Sequence, residues 1–291
     1  MHPDLNILAG LIAAAVAYAA GLRRLWGGPP VNRRAGPGVP SAGQAACFAA
    51  GLATVAVALL SPLDRLAHLL FAAHMAQHML LVLVAAPLLV LGGPGLPLAV
   101  ALAPGWRRRL GRLRHRPAWT AARDLLTRPL VAWGVHVGTL WAWHLPGPYQ
   151  AALASDAVHA AEHASFLGTG LLFWWVVLSR PGRRRLAPGF AVLYLFAAAL
   201  QGSALGALLT LAPAPLYPLQ AAAAPSGPAA LADQQLAGLV MWIPADLVYL
   251  GAAGTLFMGW LLSLERASPR QEAPDPRPVP VARAGGQKGG R

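Results

Sequence analysis

The chain has 291 residues, of which 56% are hydrophobic and only 11% are charged, and its mean hydropathy is +0.51. Soluble domains carry about 25% charged residues, so this composition excludes an ordinary soluble protein and indicates an integral membrane protein. The formal net charge is +13, and the single cysteine, Cys47, excludes an internal disulfide framework.

Seven apolar stretches are long enough to cross a bilayer, and they predict an all-α polytopic membrane protein built as a seven-transmembrane-helix bundle. In chain order the predicted spans cover roughly residues 5–22, 43–61, 66–92, 129–145, 156–178, 189–212 and 235–264. The membrane domain would then comprise residues 1–265. Residues 266–291 are rich in Pro, Gly and Arg, and they predict a disordered, basic cytoplasmic tail.

The basic residues predict the orientation of these spans. With seven crossings, every one of the 23 Lys and Arg residues except Arg65 falls on the same side of the membrane. Because cytoplasmic loops are enriched in Lys and Arg, we expect the N-terminus outside and the C-terminus inside. The anionic lipids of the inner leaflet account for the net charge, so no nucleic-acid partner is expected.

Seven of the nine histidines lie within the third, fourth and fifth predicted spans. His74 and His78 occur in HMAQHM, and His159 and His163 occur in HAAEH. Residues four apart lie on one face of a helix, so each pair presents two imidazoles together. Ionisable groups inside a bilayer usually face the bundle interior and mark an ion, metal or proton site. We therefore predict a buried metal site formed by the two pairs and His144, with His68 and His136 as weaker candidates.

Depth arguments divide these histidines into two layers in the outer half of the membrane. The direction of each span places His68, His144 and His159 in an upper layer. The same reasoning places His74 and His78 in a lower layer, together with His136 and His163.

Neutral imidazole binds copper, zinc, iron and nickel, and two methionines, Met75 and Met79, flank the first pair. A thioether beside imidazole favours Cu(I), although methionine in an apolar helix is often simple packing. Glu162 and Asp156 could orient liganding rings, with a helix N-cap as the alternative role of Asp156.

The start of the seventh span, DQQLAGLVMWIP, supplies further candidates. Asp233 is expected to cap that span or to form a polar lip that receives the metal, and Gln234 follows it. Met241 would lie about 12 Å below Asp233, near the histidines. Asp246 lies deeper and should have a polar partner, because an unpaired carboxylate there would be costly.

Three other functions of these histidines stay open. HAAEH matches the H-x-x-E-H pattern of inverted zinc metalloproteases, in which Glu162 would activate water and Asp233 or Asp246 would supply a further ligand. Histidines on different helices could also ligate a haem, as in membrane b-type cytochromes. A copper permease that carries the ion across the membrane is the third alternative.

Several motifs resemble the CtaG-type cytochrome c oxidase assembly factor family. They are SPLD (61–64), AHMAQHMLLVLVAAPLLVLGGP (73–94), WHLPGPY (143–149), HAAEHASFLGTGLLFWW (159–175), LYP (216–218) and DQQLAGLVMWIP (233–244). The resemblance extends over roughly residues 60–260, and the order and spacing of the motifs agree together.

The resemblance implies a seven-spanning protein of the bacterial cytoplasmic membrane that assists maturation of caa3-type terminal oxidases and is not an enzyme. Its partners would be cytochrome c oxidase subunits and a periplasmic copper donor. By the same resemblance the functional residues would be His74, His78, His144, His159, His163, Asp233 and Gln234. Copper is the expected metal, and haem or zinc is less expected.

Overall fold

A computed structural model of the protein describes residues 3–27, 38–178, 186–218 and 226–267, and its regular secondary structure there is helical. The helices are α1 (Pro3–Trp26), α2 (Ala42–Leu60), α3 (Pro62–Ala67), α4 (Phe71–Met79), a π-helical segment (Leu80–Ala85), α5 (Ala86–Leu91), α6 (Gly95–Ala101), α7 (Pro104–Arg114), α8 (Pro117–Leu126), α9 (Pro129–Trp143), α10 (Pro146–Ala154), α11 (Asp156–Leu178), α12 (Pro188–Leu211) and α13 (Gly227–Ala267). Of the predicted tail, all but its first two residues lie outside the described residues.

Six helices in the described part of the chain are long and apolar enough to cross a membrane. The helices α1, α2, α11 and α12 correspond closely to the first, second, fifth and sixth predicted spans. The predicted fourth span is shorter, because α9 has 15 residues and extends for only about 22 Å at 1.5 Å per residue. A bilayer core is about 30 Å thick, so the seven-helix count and the orientation stay predictions.

The third predicted span, 66–92, begins too early. Ser61 accepts a hydrogen bond from the backbone N–H of Leu63, and Pro62 occupies the first turn, so the separate short helix α3 starts here. The chain leaves the helical conformation before Leu70, which is extended with φ −123° and ψ 127°. The membrane-length helix therefore begins at Phe71 and continues from α4 through the π-helical segment to Leu91.

The seventh predicted span, 235–264, is also too short, because α13 begins at Gly227 and has 41 residues. Asp233 consequently lies inside α13 and does not cap it. Its carboxylate instead accepts hydrogen bonds from the backbone N–H groups of Phe71, at 2.6 Å, and Ala72, at 3.1 Å. Asp233 thus caps the helix that carries His74 and His78, which corrects the expectation that it caps its own helix.

A π-helical segment interrupts the third membrane-length helix directly after the first histidine pair. Here the N–H of Ala86 donates to the carbonyl of Leu81, and Pro87 has no N–H to donate. The carbonyl of Val82 is therefore left without an intrahelical donor, and the indole N–H of Trp174 in α11 supplies one at 2.8 Å. This hydrogen bond fastens α11 to the segment next to the histidines.

Helices α12 and α13 approach each other closely through two facing glycines. A Cβ atom on Gly206 would lie 2.9 Å from the carbonyl oxygen of Gly238, and a Cβ atom on Gly238 would lie 2.6 Å from the carbonyl oxygen of Gly206. Only glycine allows this approach, which is a common way to pack helices within a membrane. The contact fixes α13, and with it Asp233, relative to the bundle.

Candidate metal centre

The two histidine pairs come together where α4 faces α11. Within the pairs the ring centroids are 4.4 Å apart for His74 and His78 and 4.3 Å apart for His159 and His163. Between the helices, the His74 ring lies 5.1 Å from His159 and 5.9 Å from His163, and the His78 ring lies 5.3 Å from His163. These four side chains form one group, the four-histidine cluster.

Glu162 occupies the middle of this cluster. One carboxylate oxygen lies 3.6 Å from Nε2 of His74, and the other lies 3.7 Å from Nε2 of His78. The three side chains are at most 1% exposed. The sequence predicted that Glu162 would only orient a liganding imidazole. In the structure its carboxylate lies among the imidazole nitrogens of the cluster. It can therefore balance the charge of a cation or bind it directly.

The cluster has an excess of polar atoms that lack hydrogen-bond partners among the described residues. These buried atoms are Nε2 of His74, both ring nitrogens of His78, Nε2 of His159, Nε2 of His163 and both carboxylate oxygens of Glu162. Each buried polar atom left unpaired costs about 1–3 kcal/mol, so such a concentration is unfavourable without a shared partner. A cation bound by several of them would provide that partner.

The spacing of these atoms fits a metal ion. Two triads have ligand atoms that all lie within 4.8 Å of one another: His74, His78 and His163, and His74, His159 and Glu162. Neighbouring ligand atoms around a tetrahedral ion with bonds of 2.0–2.1 Å are about 3.3 Å apart, so shifts on the order of 1 Å would close either triad. Imidazole and carboxylate ligands suit zinc, copper, iron or nickel.

His144 and Met75 form a second pair of possible ligands beside the cluster. Nδ1 of His144 lies 2.7 Å from the carbonyl oxygen of Leu140, and because a carbonyl only accepts, this nitrogen carries the proton. The lone pair of Nε2 then faces the sulfur of Met75 at 3.3 Å. An imidazole held in this way by a backbone carbonyl is the usual arrangement of a metal-ligating histidine.

His144 lies next to the first histidine pair. Its ring lies 6.4 Å from the ring of His78, so it adjoins the pair that was assigned to the lower layer. His144 ends α9, and the hydroxyl of Tyr217 donates to its backbone carbonyl at 2.8 Å. The LYP segment thereby fixes the histidine of WHLP next to the cluster.

His68 and His136 lie outside the four-histidine cluster. The His68 side chain is 55% exposed and its ring lies 5.5 Å from that of His159. His136 is buried away from the cluster, where Nδ1 lies 3.3 Å from the hydroxyl of Thr169 and Nε2 lies 3.5 Å from the hydroxyl of Tyr249. These contacts suit a hydrogen-bonded core residue.

The remaining candidates have mostly structural surroundings. Met79 and Met241 line a cavity of about 30 Å³ together with His136. Asp156 is exposed in the first turn of α11. Gln234 accepts a hydrogen bond from the N–H of Leu216 and donates to the carbonyl of Leu209, so it holds the chain that follows α12.

The expected polar partner of Asp246 is present. The hydroxyl of Ser203 in α12 lies 2.9 Å from both of its carboxylate oxygens. This contact joins α12 to α13 and gives Asp246 a structural role.

Sequence reasoning missed two polar residues that support the site. The Gln77 amide donates to the carbonyl of Ala58 at 2.7 Å and to the carboxylate of Asp64 at 2.9 Å. Both residues belong to motifs described above. Gln77 lies between the histidines of HMAQHM, and Asp64 is the last residue of SPLD. A polar residue within an apolar span was the available signal for Gln77.

Two tyrosines were missed as well. Tyr149 is fully buried and its ring packs 5.6 Å from that of His74 and 4.4 Å from that of Tyr217. Burial, reinforced by the nearby Glu162, raises the pKa of Tyr149, so its phenol stays neutral beside the cluster.

Comparison with known proteins agrees with these motifs. Residues 16–263 match the family model for the cytochrome c oxidase caa3 assembly factor. An uncharacterized protein of Mycobacterium bovis and one of Mycobacterium tuberculosis are each 27% identical over 282 residues, and one of Mycobacterium leprae is 26% identical over 281 residues. Each alignment covers 92% of this chain but only 40% of the relative, so the chain spans less than half the length of these proteins.

No solved structure matches the chain. The family match nevertheless extends over most of the chain, from within α1 to near the end of α13, and it includes both histidine pairs, WHLP, LYP and DQQ. This helical protein, with its several membrane-length helices, belongs to the cytochrome c oxidase caa3 assembly factor family.

Proposed function

We propose that the protein binds copper at the four-histidine cluster and helps to deliver it to a subunit of cytochrome c oxidase. The observation that carries this proposal is the convergence of imidazole nitrogens and the Glu162 carboxylate, which lack hydrogen-bond partners among the described residues. The family is described as an assembly factor of an oxidase, and not as an enzyme class. Buried polar atoms without partners destabilise the fold, and an ion bound during assembly would pair with them.

Copper is favoured over the other metals that imidazole binds because of the adjoining His144 and Met75 pair. A thioether is a soft ligand that selects Cu(I), whereas zinc sites rarely include one. The sulfur of Met75 lies against the ring nitrogen of His144 that is free to act as a ligand. The cluster and this pair together offer both kinds of ligand that a copper carrier needs.

Delivery also requires that the ion can leave. The two triads share His74, so an ion could exchange His78 and His163 for His159 and Glu162 without losing every ligand at once. Several competing ligands of this kind favour transfer, whereas one closed cage of four ligands would favour storage.

The partners follow from this role. The acceptor would be an oxidase subunit, and the donor would be a copper protein on the outer side of the bacterial cytoplasmic membrane. The protein would be embedded there through its apolar helices, six of which reach membrane length in the described residues.

A paired substitution tests the proposal. We expect His74→Asn together with His78→Asn to remove copper binding by the purified protein, because both triads lose a ligand. Copper per protein would be measured after loading with Cu(I) and removal of excess. His115→Asn, at an exposed histidine between α7 and α8, serves as the control and should bind as the unaltered protein does. Unchanged copper content in the double variant, with the protein folded, would refute the assignment.

The same preparation tests the other functions considered from the sequence. A Soret absorption band would indicate haem, although a porphyrin between these rings would have to separate side chains whose centroids are 4.3–5.9 Å apart. Substrate cleavage that Glu162→Gln abolishes would indicate a zinc protease. A dependence of total cellular copper uptake on the protein would indicate a permease.

A further inference from the structure

His68 and Asp64, whose side chains are of types that can ligate a metal, form a partly exposed pair at the edge of the four-histidine cluster. His68 ends α3, and its Nε2 lies 3.9 Å from a carboxylate oxygen of Asp64, one turn earlier. Their side chains are 55% and 26% exposed, respectively. The ion pair between the exposed His68 imidazole and this partly exposed carboxylate contributes little to stability, so stability does not account for the position of His68.

From this pair an unbroken series of rings leads into the protein. The His68 ring lies 5.5 Å from that of His159, and the His159 ring stacks on that of His74 at 5.1 Å with 19° between the planes. Exposure falls along the series, from 55% for the His68 side chain to partly buried for His159 and 1% for His74. Nε2 of His159 has no hydrogen-bond partner among the described residues, so it can take part in ligand exchange.

Gln77 connects this surface pair rigidly to the buried ligands. Its amide donates to the other carboxylate oxygen of Asp64 at 2.9 Å, and Gln77 lies on α4 between His74 and His78. The second donation, to the carbonyl of Ala58 at 2.7 Å, anchors the same amide to α2. Asp64 is therefore held in place with respect to the cluster.

We infer that His68 and Asp64 form the entry port through which the copper ion reaches the four-histidine cluster. The inference rests on the proposed function and adds the route and its first ligands. The carboxylate attracts the cation, the His68 imidazole binds it transiently, and His159 then accepts it and passes it to His74. The port binds the ion during loading and does not hold it afterwards.

Loading kinetics test the port separately from storage. The purified full-length protein, in detergent, would be mixed with Cu(I) presented as its bicinchoninate complex, and the loss of the complex's absorbance would be followed. We expect the combined His68→Asn and Asp64→Asn variant to load about 10-fold more slowly, at the low end of electrostatic effects on on-rates, because the Cu(I) that the complex releases loses both the attracting carboxylate and its first imidazole ligand. The final copper content should equal that of the unaltered protein. Asp64→Asn retains an oxygen that can accept the Gln77 hydrogen bond.

The matched control is the combined His115→Asn and Glu265→Gln variant, which removes one exposed imidazole and one exposed carboxylate elsewhere in the chain. Its loading rate should be unchanged. An unchanged rate in the port variant would overturn the port while leaving the proposed function intact. A lower final copper content would overturn it too, because His68 would then be a ligand of the stored ion. Failure of the unaltered protein to take up copper would overturn the proposed function, and the port with it.

Discussion

Glu162 shows how one residue determines what the candidate site can bind. Four imidazoles without a carboxylate would leave the full charge of a cation uncompensated in an apolar bundle, which is costly. Glu162 lies between His74 and His78 and is fully buried, so it places a compensating charge at the centre of the cluster. The same carboxylate is costly when no cation is present.

This balance predicts opposite effects of Glu162→Gln with and without metal. We expect the variant to bind Cu(I) about 10-fold more weakly, a loss of about 1.4 kcal/mol, because the amide lacks the negative charge. Without metal its thermal midpoint should be equal to or higher than that of the unaltered protein, because a buried carboxylate has been removed. Competition titration with a Cu(I) chelator and thermal unfolding measure the two quantities.

Glu265→Gln removes an exposed carboxylate from the same chain and should change neither quantity. An unaltered Cu(I) affinity in Glu162→Gln would show that the carboxylate does not act on the ion.

At the residue scale the sequence predicted which histidines share a helix face but not which faces meet. The i, i+4 spacing of His74 and His78, and of His159 and His163, follows from the helical period alone. The position of Glu162 depends on how α11 is rotated towards α4, and that rotation is set by distant contacts such as the Trp174 hydrogen bond. The proximity of His144 to His78 was not predictable for the same reason, since it depends on the contact between Tyr217 and the backbone carbonyl of His144.

At the scale of helices, α13 supports the beginning of α4 through Asp233. The first N–H groups of a helix have no partner within it, and Leu70, the residue that precedes α4, provides no side-chain cap. Asp233 caps these groups from a helix that is more than 160 residues away in the chain. This hydrogen bonding places the helix that carries His74 and His78 against α13.

Asp233→Ala should therefore destabilise the protein, although it removes a residue outside the histidine cluster. We expect a loss of about 1–2 kcal/mol in the free energy of unfolding, the usual effect of losing an N-cap. Denaturant unfolding, followed by circular dichroism in detergent, would measure it.

Asp156→Ala is the matched control, because Asp156 is exposed in the first turn of α11 and a first-turn carboxylate contributes only about 0.3–1 kcal/mol. Equal destabilisation by the two substitutions would contradict the capping role of Asp233.

Local signals accounted for some helix boundaries and not for others. Ser61 and Pro62 form a recognisable helix start, so the separate helix α3 could have been inferred from SPLD. The start of α13 at Gly227 carries a similar signal, because Ser226 accepts a hydrogen bond from the N–H of Ala229 and Pro228 lies in the first turn. The sequence around Phe71 does not indicate that the distant residue Asp233 caps α4.

At the scale of the whole molecule, the distribution of arginines predicts how the protein lies in the membrane. The exposed helices α7 and α8 carry a large share of the basic residues, and positive-inside bias assigns them to the cytoplasm. The entry port and α10 would then face the outside, where the copper donor is expected.

Cysteine labelling tests this orientation. In a Cys47→Ser background, a membrane-impermeant maleimide applied to intact cells should label Ser226→Cys and not His115→Cys. Both positions are exposed, and the predicted topology puts them on opposite sides of the membrane. Both should react after the membrane is permeabilised. The reverse labelling pattern would invert the topology and move the port to the cytoplasmic side.

The all-helical architecture was the most predictable property of the molecule, because membrane-length apolar runs allow few alternatives. Helix α9 shows the limit of that reasoning. The predicted span 129–145 matches α9 to within two residues at its end, but α9 has only 15 residues and is shorter than the six membrane-length helices of the described residues. Apolar composition alone therefore leaves the seventh crossing a prediction.

The π-helical segment lets one face of the third membrane-length helix stay aligned with α11. In an uninterrupted α-helix a step of four residues overshoots a full turn by about 40°, so His74, His78, Val82 and Ala86 would rotate by about 120° over three steps. The wider π-helical turn between Leu80 and Ala85 contains one extra residue, which rotates the residues that follow it back towards the face that carries the histidines.

Both halves of the helix consequently face α11. The histidines lie against Glu162, and Val82 and Ala86 lie against Gly170, where an added Cβ would be 3.3 Å from that of Ala86. In a helix without the π-helical segment, either the two histidines or Val82 and Ala86 could face α11, but not both groups.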